Sequence, residues 1–164
     1  MKTHEEQLKK LHEMIGEIRT AMITTFHGDQ LRSRPMAILK GDGSNVLWFF
    51  TGADTEKAQE IQDNSHVNVA LADESSNNWV SMSGRASIVK DAAKAKELWT
   101  PFAKGWFEGP EDPNLRLIRF EIDGAEYWDG PSSKMVYIFN LLVSAVTGKE
   151  VGMGENEEVT IPSR

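Results

Sequence analysis

"LRSRPMAIL", residues 31–39, reads as a strand with two arginines on one face and a proline in the middle. With the period of two that a strand imposes, Leu31, Ser33, Pro35, Ala37 and Leu39 point one way; Arg32, Arg34, Met36 and Ile38 point the other. One face therefore mixes fixed positive charge with apolar surface. Pro35 has no N–H to give to a ladder, so the strand belongs at a sheet edge, at a bulge, or where something other than a strand meets the backbone. Such a strand suits either water or an anionic ligand.

The neighbouring segments set this strand in a β-rich frame. Leu8, Leu11, Ile15 and Ile18 step by three, four and three, and Thr3 with Glu6 forms a capping-box pattern, so residues 4–18 are predicted to be an amphipathic helix. "AMITTF" (21–26) and "VLWFFT" (46–51) flank the opening strand. "KGDGSN" carries a turn signal at Asp42-Gly43, which predicts that strands 31–39 and 46–51 are antiparallel neighbours. Asp54 or Thr55 caps a short helix over about 55–63, with Ala58 and Ile61 as its apolar stripe. "VNVALAD" (67–73) and "WVSMSGRASIV" (79–89) alternate as strands, and Gly84 predicts a bulge or a bend in a curled sheet. "AAKAKELWTPF" reads as a helix capped by Asp91 with Ala95, Leu98 and Trp99 inward. "AKGWFEGPEDPN" reads as a loop that leaves Trp106 and Phe107 exposed. "LRLIRFEID" and "AEYWDG" read as two further strands turning at Asp123-Gly124, and in the polar end of the chain only "EVTIP" is suited to pairing.

Six or seven short strands with a few short helices predict a mainly β fold, a small antiparallel barrel with peripheral helices. The βαβ alternation of a doubly wound sheet is missing. The 164 residues suit one domain over 1–150 followed by a polar tail, 151–164. Lys+Arg 18 against Asp+Glu 25 gives a net charge of -7, which makes nucleic acid a poor partner for want of a basic surface. With no cysteine, disulfides, zinc–thiolate sites and thiol nucleophiles are excluded. His4, His12, His27 and His66 are scattered without ligand spacing, so no metal is expected. The amino terminus lacks the apolar core of a signal peptide. "MVYIFNLLVSAV" (135–146) is too short to span a bilayer and reads as a core or interface helix, so a cytoplasmic protein without a membrane partner is expected.

Positive charge beside aromatic surface is what remains for chemistry. Arg32 and Arg34 share a strand face, and Lys57 falls in the first turn of a helix, where unpaired N–H groups and the helix dipole favour an anion. A guanidinium fork grips phosphate oxygens in parallel hydrogen bonds, and lysine adds a point charge. "VLWFFT" between them offers ring faces and ends in the hydroxyl of Thr51. These features predict a phosphate attached to a flat ring system. The same residues also suit a solvated face and a guard against edge-to-edge strand pairing, and Trp48, Phe49 and Phe50 also suit an ordinary core.

The run from the leading helix through "AMITTF", "SRPMAIL", "LWFFT", "TEKAQEIQDNSHVNVAL" and "WVSMSGRASIVKD" resembles the FMN-binding split-barrel family of the pyridoxamine 5′-phosphate oxidase type. "ELWTPFAKGWFEGPEDPNLRLIRFEIDGAEYWDG" is similar to its general stress protein 26 branch, and the likeness covers about residues 4–150. The resemblance implies a split β-barrel and a homodimer with FMN at its interface. It implies that Ser33, Arg34, Pro35 and Met36 line the isoalloxazine ring and ribityl chain. Phe50 and Thr51 would back the ring, Lys57 would hold the phosphate, and Trp128 would be an aromatic near the flavin.

Two departures bear on activity. The oxidase carries an arginine before the phosphate-binding lysine, where this chain has Glu56, which implies weaker phosphate binding or a contribution from Arg32 and the helix N-terminus. After its Trp-x-Gly the oxidase has an Arg and a His that handle the vitamin; "PSSKMVYIF" offers only Lys134, so pyridoxamine phosphate oxidation is not expected. The leading expectation is a flavoprotein whose FMN exchanges electrons or hydride with a small-molecule redox partner, with no catalytic side chain assigned. The alternatives are a non-catalytic protein that sequesters or senses FMN, and a reductase using a deazaflavin or nicotinamide.

Overall fold

The computed structural model describes residues 3–39, 44–130 and 155–161. Helix α1 (His4–Glu17) starts with the expected capping box: Thr3 Oγ1 accepts from Glu6 N, and Thr3 N donates to the Glu6 carboxylate at 2.7 Å. Strand β1 (Thr20–His27) turns back into β2 (Gln30–Ala37) through Gly28, whose φ of +65° is the left-handed conformation a tight hairpin needs. The two strands pair along their full length, from Thr20–Ala37 to His27–Gln30. Then follow β3 (Val46–Gly52), α2 (Glu56–Asp63), β4 (His66–Asp73), β5 (Asn78–Val89), α3 (Ala92–Glu97), a 3₁₀ turn (Pro101–Gly105), β6 (Leu115–Asp129) and β7 (Glu155–Thr160).

All pairings are antiparallel, in the order β2-β1-β4-β5-β6-β3, with β7 also on β6. The expected pairing of the opening strand with 46–51 is therefore corrected. β2 and β3 stand at opposite ends of the order. They meet only as the sheet curls, where Leu39 N donates to the Trp48 carbonyl at 3.0 Å. The turn signal at Asp42-Gly43 lies outside the described residues, as do the segment 135–146 and Lys134. β2 is an edge strand, which is where Pro35 belongs.

A second correction concerns "LRLIRFEID" and "AEYWDG", which are one continuous strand, β6. Asp123 is not a turn residue but the extra residue of a bulge. Ser83 faces Gly124, Gly84 faces Ile122, and nothing in β5 faces Asp123. Gly84 is required there, because a Cβ would lie 2.0 Å from the Glu121 carbonyl oxygen. The bulge is also where β6 changes partner. Residues 115–121 pair with β3 and 124–129 with β7, and Ile161 N closes onto the Asp123 carbonyl at 2.9 Å. The strand expected within "EVTIP" is thus β7, which sends Val159 into the core.

The main core lies inside the curl. Leu11, Met14, Ile15 and Ile18 from α1 and its end pack with Ala21 and Ile23 of β1, Phe49 of β3, Ile61 of α2 and Phe120 and Tyr127 of β6. A satellite cluster on the other side of β3 joins Leu39, Leu98, Leu115 and Leu117, with Trp48, Phe50, Trp99 and Phe107 packed against it. Among the described residues no helix is long and apolar enough to cross a membrane.

Candidate functional site

The even-numbered residues of β2 turn inward as the period requires. Met36 and Ile38 pack against the main core, and Arg32 and Arg34 run under α2. Helix α2 begins where Thr55, its N-cap, accepts from Ala58 N; it packs against β1 and β5, so its first turn sits over the guanidinium groups. The Thr51 hydroxyl is buried and lies 3.0 Å from that of Thr55, tying the end of β3 to the helix start.

Glu60 is the hub. Its side chain is 5% exposed, yet four groups address it. Arg34 Nη2 donates to Oε2 at 2.7 Å, the buried hydroxyl of Thr25 donates to the same oxygen at 2.5 Å, His27 Nδ1 lies 3.1 Å from Oε1, and Arg32 Nη1 stands 3.7 Å from Oε1. Arg34 Nη1 also donates to Thr25 Oγ1 at 2.7 Å, closing a three-membered ring of bonds. Burial pushes the Glu60 carboxyl upward and is the largest single influence. The hydrogen bonds from Thr25 and Arg34, the charge of Arg34 and the His27 contact together outweigh it, and the group titrates below the usual glutamate range.

Lys57, one turn earlier and half-buried, is moved the other way. Loss of water lowers its ammonium pKa most, the charge of Arg34 lowers it further, and the carboxylate of Glu60 only partly offsets them. Arg32 completes the cluster with an exposed ion pair to Glu56, Nη1 to Oε2 at 3.2 Å. Three fixed cations thus meet two carboxylates, leaving a net positive spot at a helix start.

The odd-numbered residues of β2 face out. Ser33 shares a 2.6 Å hydrogen bond with Thr24, and Pro35 lies opposite Met22. The same outward surface carries Leu31, Met22, Trp79 and Trp128, all more than a third exposed, with Trp79 directly across the strands from Trp128.

Of the nine residues singled out from sequence, Arg32, Arg34, Lys57 and Thr51 gather around the start of α2. Ser33, Pro35 and Trp128 share the outer face, and Met36 joins the core. Phe50 is not with them. Its ring packs against Trp99 (centroids 5.8 Å apart) and Phe107 (6.4 Å) in the satellite cluster. Sequence reasoning missed Thr25, His27 and Glu60. The available signal was Thr25, polar on the core parity of Ala21 and Ile23 and therefore in need of a buried partner. A shallow recess lined by Val89, Asp91, Ala95, Pro110, Asp112 and Leu117 contains none of the nine.

An antiparallel barrel of this strand order, with a cationic helix start on its first hairpin, is the split-barrel fold. The chain belongs to the family described as pyridoxamine 5′-phosphate oxidase like, which it matches over residues 6–152. Protein bli-3 of Neurospora crassa is 24% identical over 168 residues, covering 95% of this chain and 80% of that one. A Jannaschia sp. structure described as a general stress protein 26 superposes with a TM-score of 0.80 over 96% of this chain and 99% of that chain; at 20% identity the likeness is one of fold. The general stress FMN/FAD binding protein of Xanthomonas citri is 30% identical, with a TM-score of 0.69 over 79% of this chain and 92% of that chain.

Proposed function

We propose that the protein binds FMN as a homodimer and uses it in electron or hydride exchange with a small-molecule partner other than pyridoxamine phosphate. One observation carries this reading: Arg34 from the edge strand and Lys57 from the helix start share one desolvated spot with more positive than negative charge. A phosphate monoester there relieves the Lys57–Arg34 repulsion and meets the positive end of the α2 dipole. The residues present therefore fit the phosphate end of the cofactor. The strand that supplies Arg34 also presents Ser33 and Pro35 on the outer face, toward Met22, Trp79 and Trp128, a surface suited to a flat ring and a second copy of the chain.

FMN, when bound, supplies the redox chemistry. This chain's part is to hold the phosphate with Lys57, Arg34 and Arg32 and to seat the ring along the outer side of β2. Phe50 is left to fix β3 against α3. The family relationship and the Xanthomonas citri neighbour support a flavin as the ligand.

The test is titration of the purified protein with FMN and with riboflavin, followed by steady-state oxidation of a reduced nicotinamide by the FMN-loaded protein. Strong preference for FMN together with turnover supports the proposal. Preference without turnover indicates a flavin-holding protein instead, and equal affinity for riboflavin removes the phosphate site.

A further inference from the structure

The two arginines of β2 are held very differently. Arg34 is 21% exposed, and both its terminal nitrogens are engaged, Nη2 by buried Glu60 and Nη1 by buried Thr25. It is a fixed part of the wall. Arg32 is 40% exposed, and its short contact is with Glu56, which is itself 79% exposed. Its approach to Glu60 is longer, at 3.7 Å.

Glu56 is the first residue of α2, and there its carboxylate has the favourable interaction with the helix dipole that an incoming phosphate would have. It neighbours Lys57 in sequence and engages one of the three cations of the site. Its position is that of an anion already in place.

We infer that Glu56 is a specificity-determining residue of the anion site: it competes with the ligand's phosphate for Arg32, and so weakens binding of phosphorylated ligands without touching the ring. This rests on the phosphate reading of Lys57 and Arg34 given above. When a phosphate arrives, Arg32 exchanges the Glu56 carboxylate for a phosphate oxygen, and Glu56 turns to water, which its exposure allows. Arg34 makes no such exchange: it keeps Glu60, whose loss would leave a buried charge unpaired, and offers the phosphate only its remaining N–H groups.

The test is isothermal titration with FMN, riboflavin and inorganic phosphate on four proteins: wild type, Glu56→Gln, Arg32→Ala and the double variant. Glu56→Gln keeps the helix and removes the charge. It is expected to tighten FMN and inorganic phosphate about two- to fivefold, the range of an exposed ion pair, and to leave riboflavin unchanged. The gain should disappear in the Arg32→Ala background and shrink with added salt. The inference is overturned if Glu56→Gln binds FMN as the wild type does, if riboflavin tightens equally, or if the gain persists without Arg32. Should the wild type prefer FMN through Lys57 while Glu56→Gln changes nothing, only this inference fails. Should the wild type bind FMN and riboflavin alike, the phosphate reading fails and this inference with it.

Discussion

On the inward side of β2, Arg34 is met by Glu60 and Thr25 at 2.7 Å each, and the hydroxyl of Thr25 closes the ring onto Glu60. On the outward side of the same strand, Leu31 is 66% exposed, and Met22, Trp79 and Trp128 on the same face of the sheet are each more than a third exposed. The first surface is completed by the chain's own helix; the second is left exposed. One strand carries both because its side chains alternate, so a ligand with a charged end and a flat apolar end can be read by a single edge. Pro35 keeps that edge from acquiring another strand.

The contrast implies that substitutions on the inward side destabilise the fold, whereas those on the outward side bear on the homodimer proposed above. The largest effect is expected beneath the sheet. Phe120→Ala, at a fully buried position of the main core, should lower unfolding free energy by about 3–5 kcal/mol in urea denaturation. Arg34→Ala should cost about 3 kcal/mol, near the lower end for stripping a buried charge of its partner, because the guanidinium retains some contact with water. A loss below about 1 kcal/mol would mean that Glu60 does not depend on it.

Acid should act through the same carboxylate. The folded state holds Glu60 below its ordinary pKa, so its contribution is complete above about pH 4.3 and is lost as pH falls through the lower folded value. Urea midpoints from pH 7 to pH 3 should fall less steeply in Glu60→Gln than in the wild type. The smallest stability change is expected outside. Trp79→Ser should cost under about 1 kcal/mol in the monomer while shifting sedimentation from dimer toward monomer. Unchanged sedimentation would separate the outer face from assembly.

Much of this arrangement is written locally. The capping box at Thr3, the cap at Thr55, the alternation of β4 and β5 and the bulge at Gly84 follow from nearest neighbours and appear where the residues predict them. What failed is non-local. Asp-Gly reports only that a backbone tolerates unusual dihedrals, and that tolerance serves a turn and a bulge alike. Asp123 therefore bends a continuous strand, while the hairpin bend falls at Gly28. The order that sends β3 to the far end of the sheet depends on the closure of the whole barrel, which no window of residues contains. Within the candidate site, the cations could be read because three positive charges near one helix start are conspicuous. Glu60 could not, because a glutamate in "TEKAQE" looks like any solvated helix residue until β1 places Thr25 and His27 against it. Phe50, expected beside the ring, packs with Trp99 and Phe107 in the satellite cluster, a placement that parity on β3 alone does not specify.

The central claim is that a phosphate sits at Lys57, and a cycle of four dissociation constants tests it most directly: wild type and Lys57→Ala, each with FMN and with riboflavin. Lys57 has no short ion pair among the described residues, so its removal leaves the Glu60 ring intact. The account predicts a loss of about tenfold or more for FMN in Lys57→Ala and none for riboflavin, the difference being the coupling between ammonium and phosphate. Equal losses for the two flavins, or no loss for either, would contradict it.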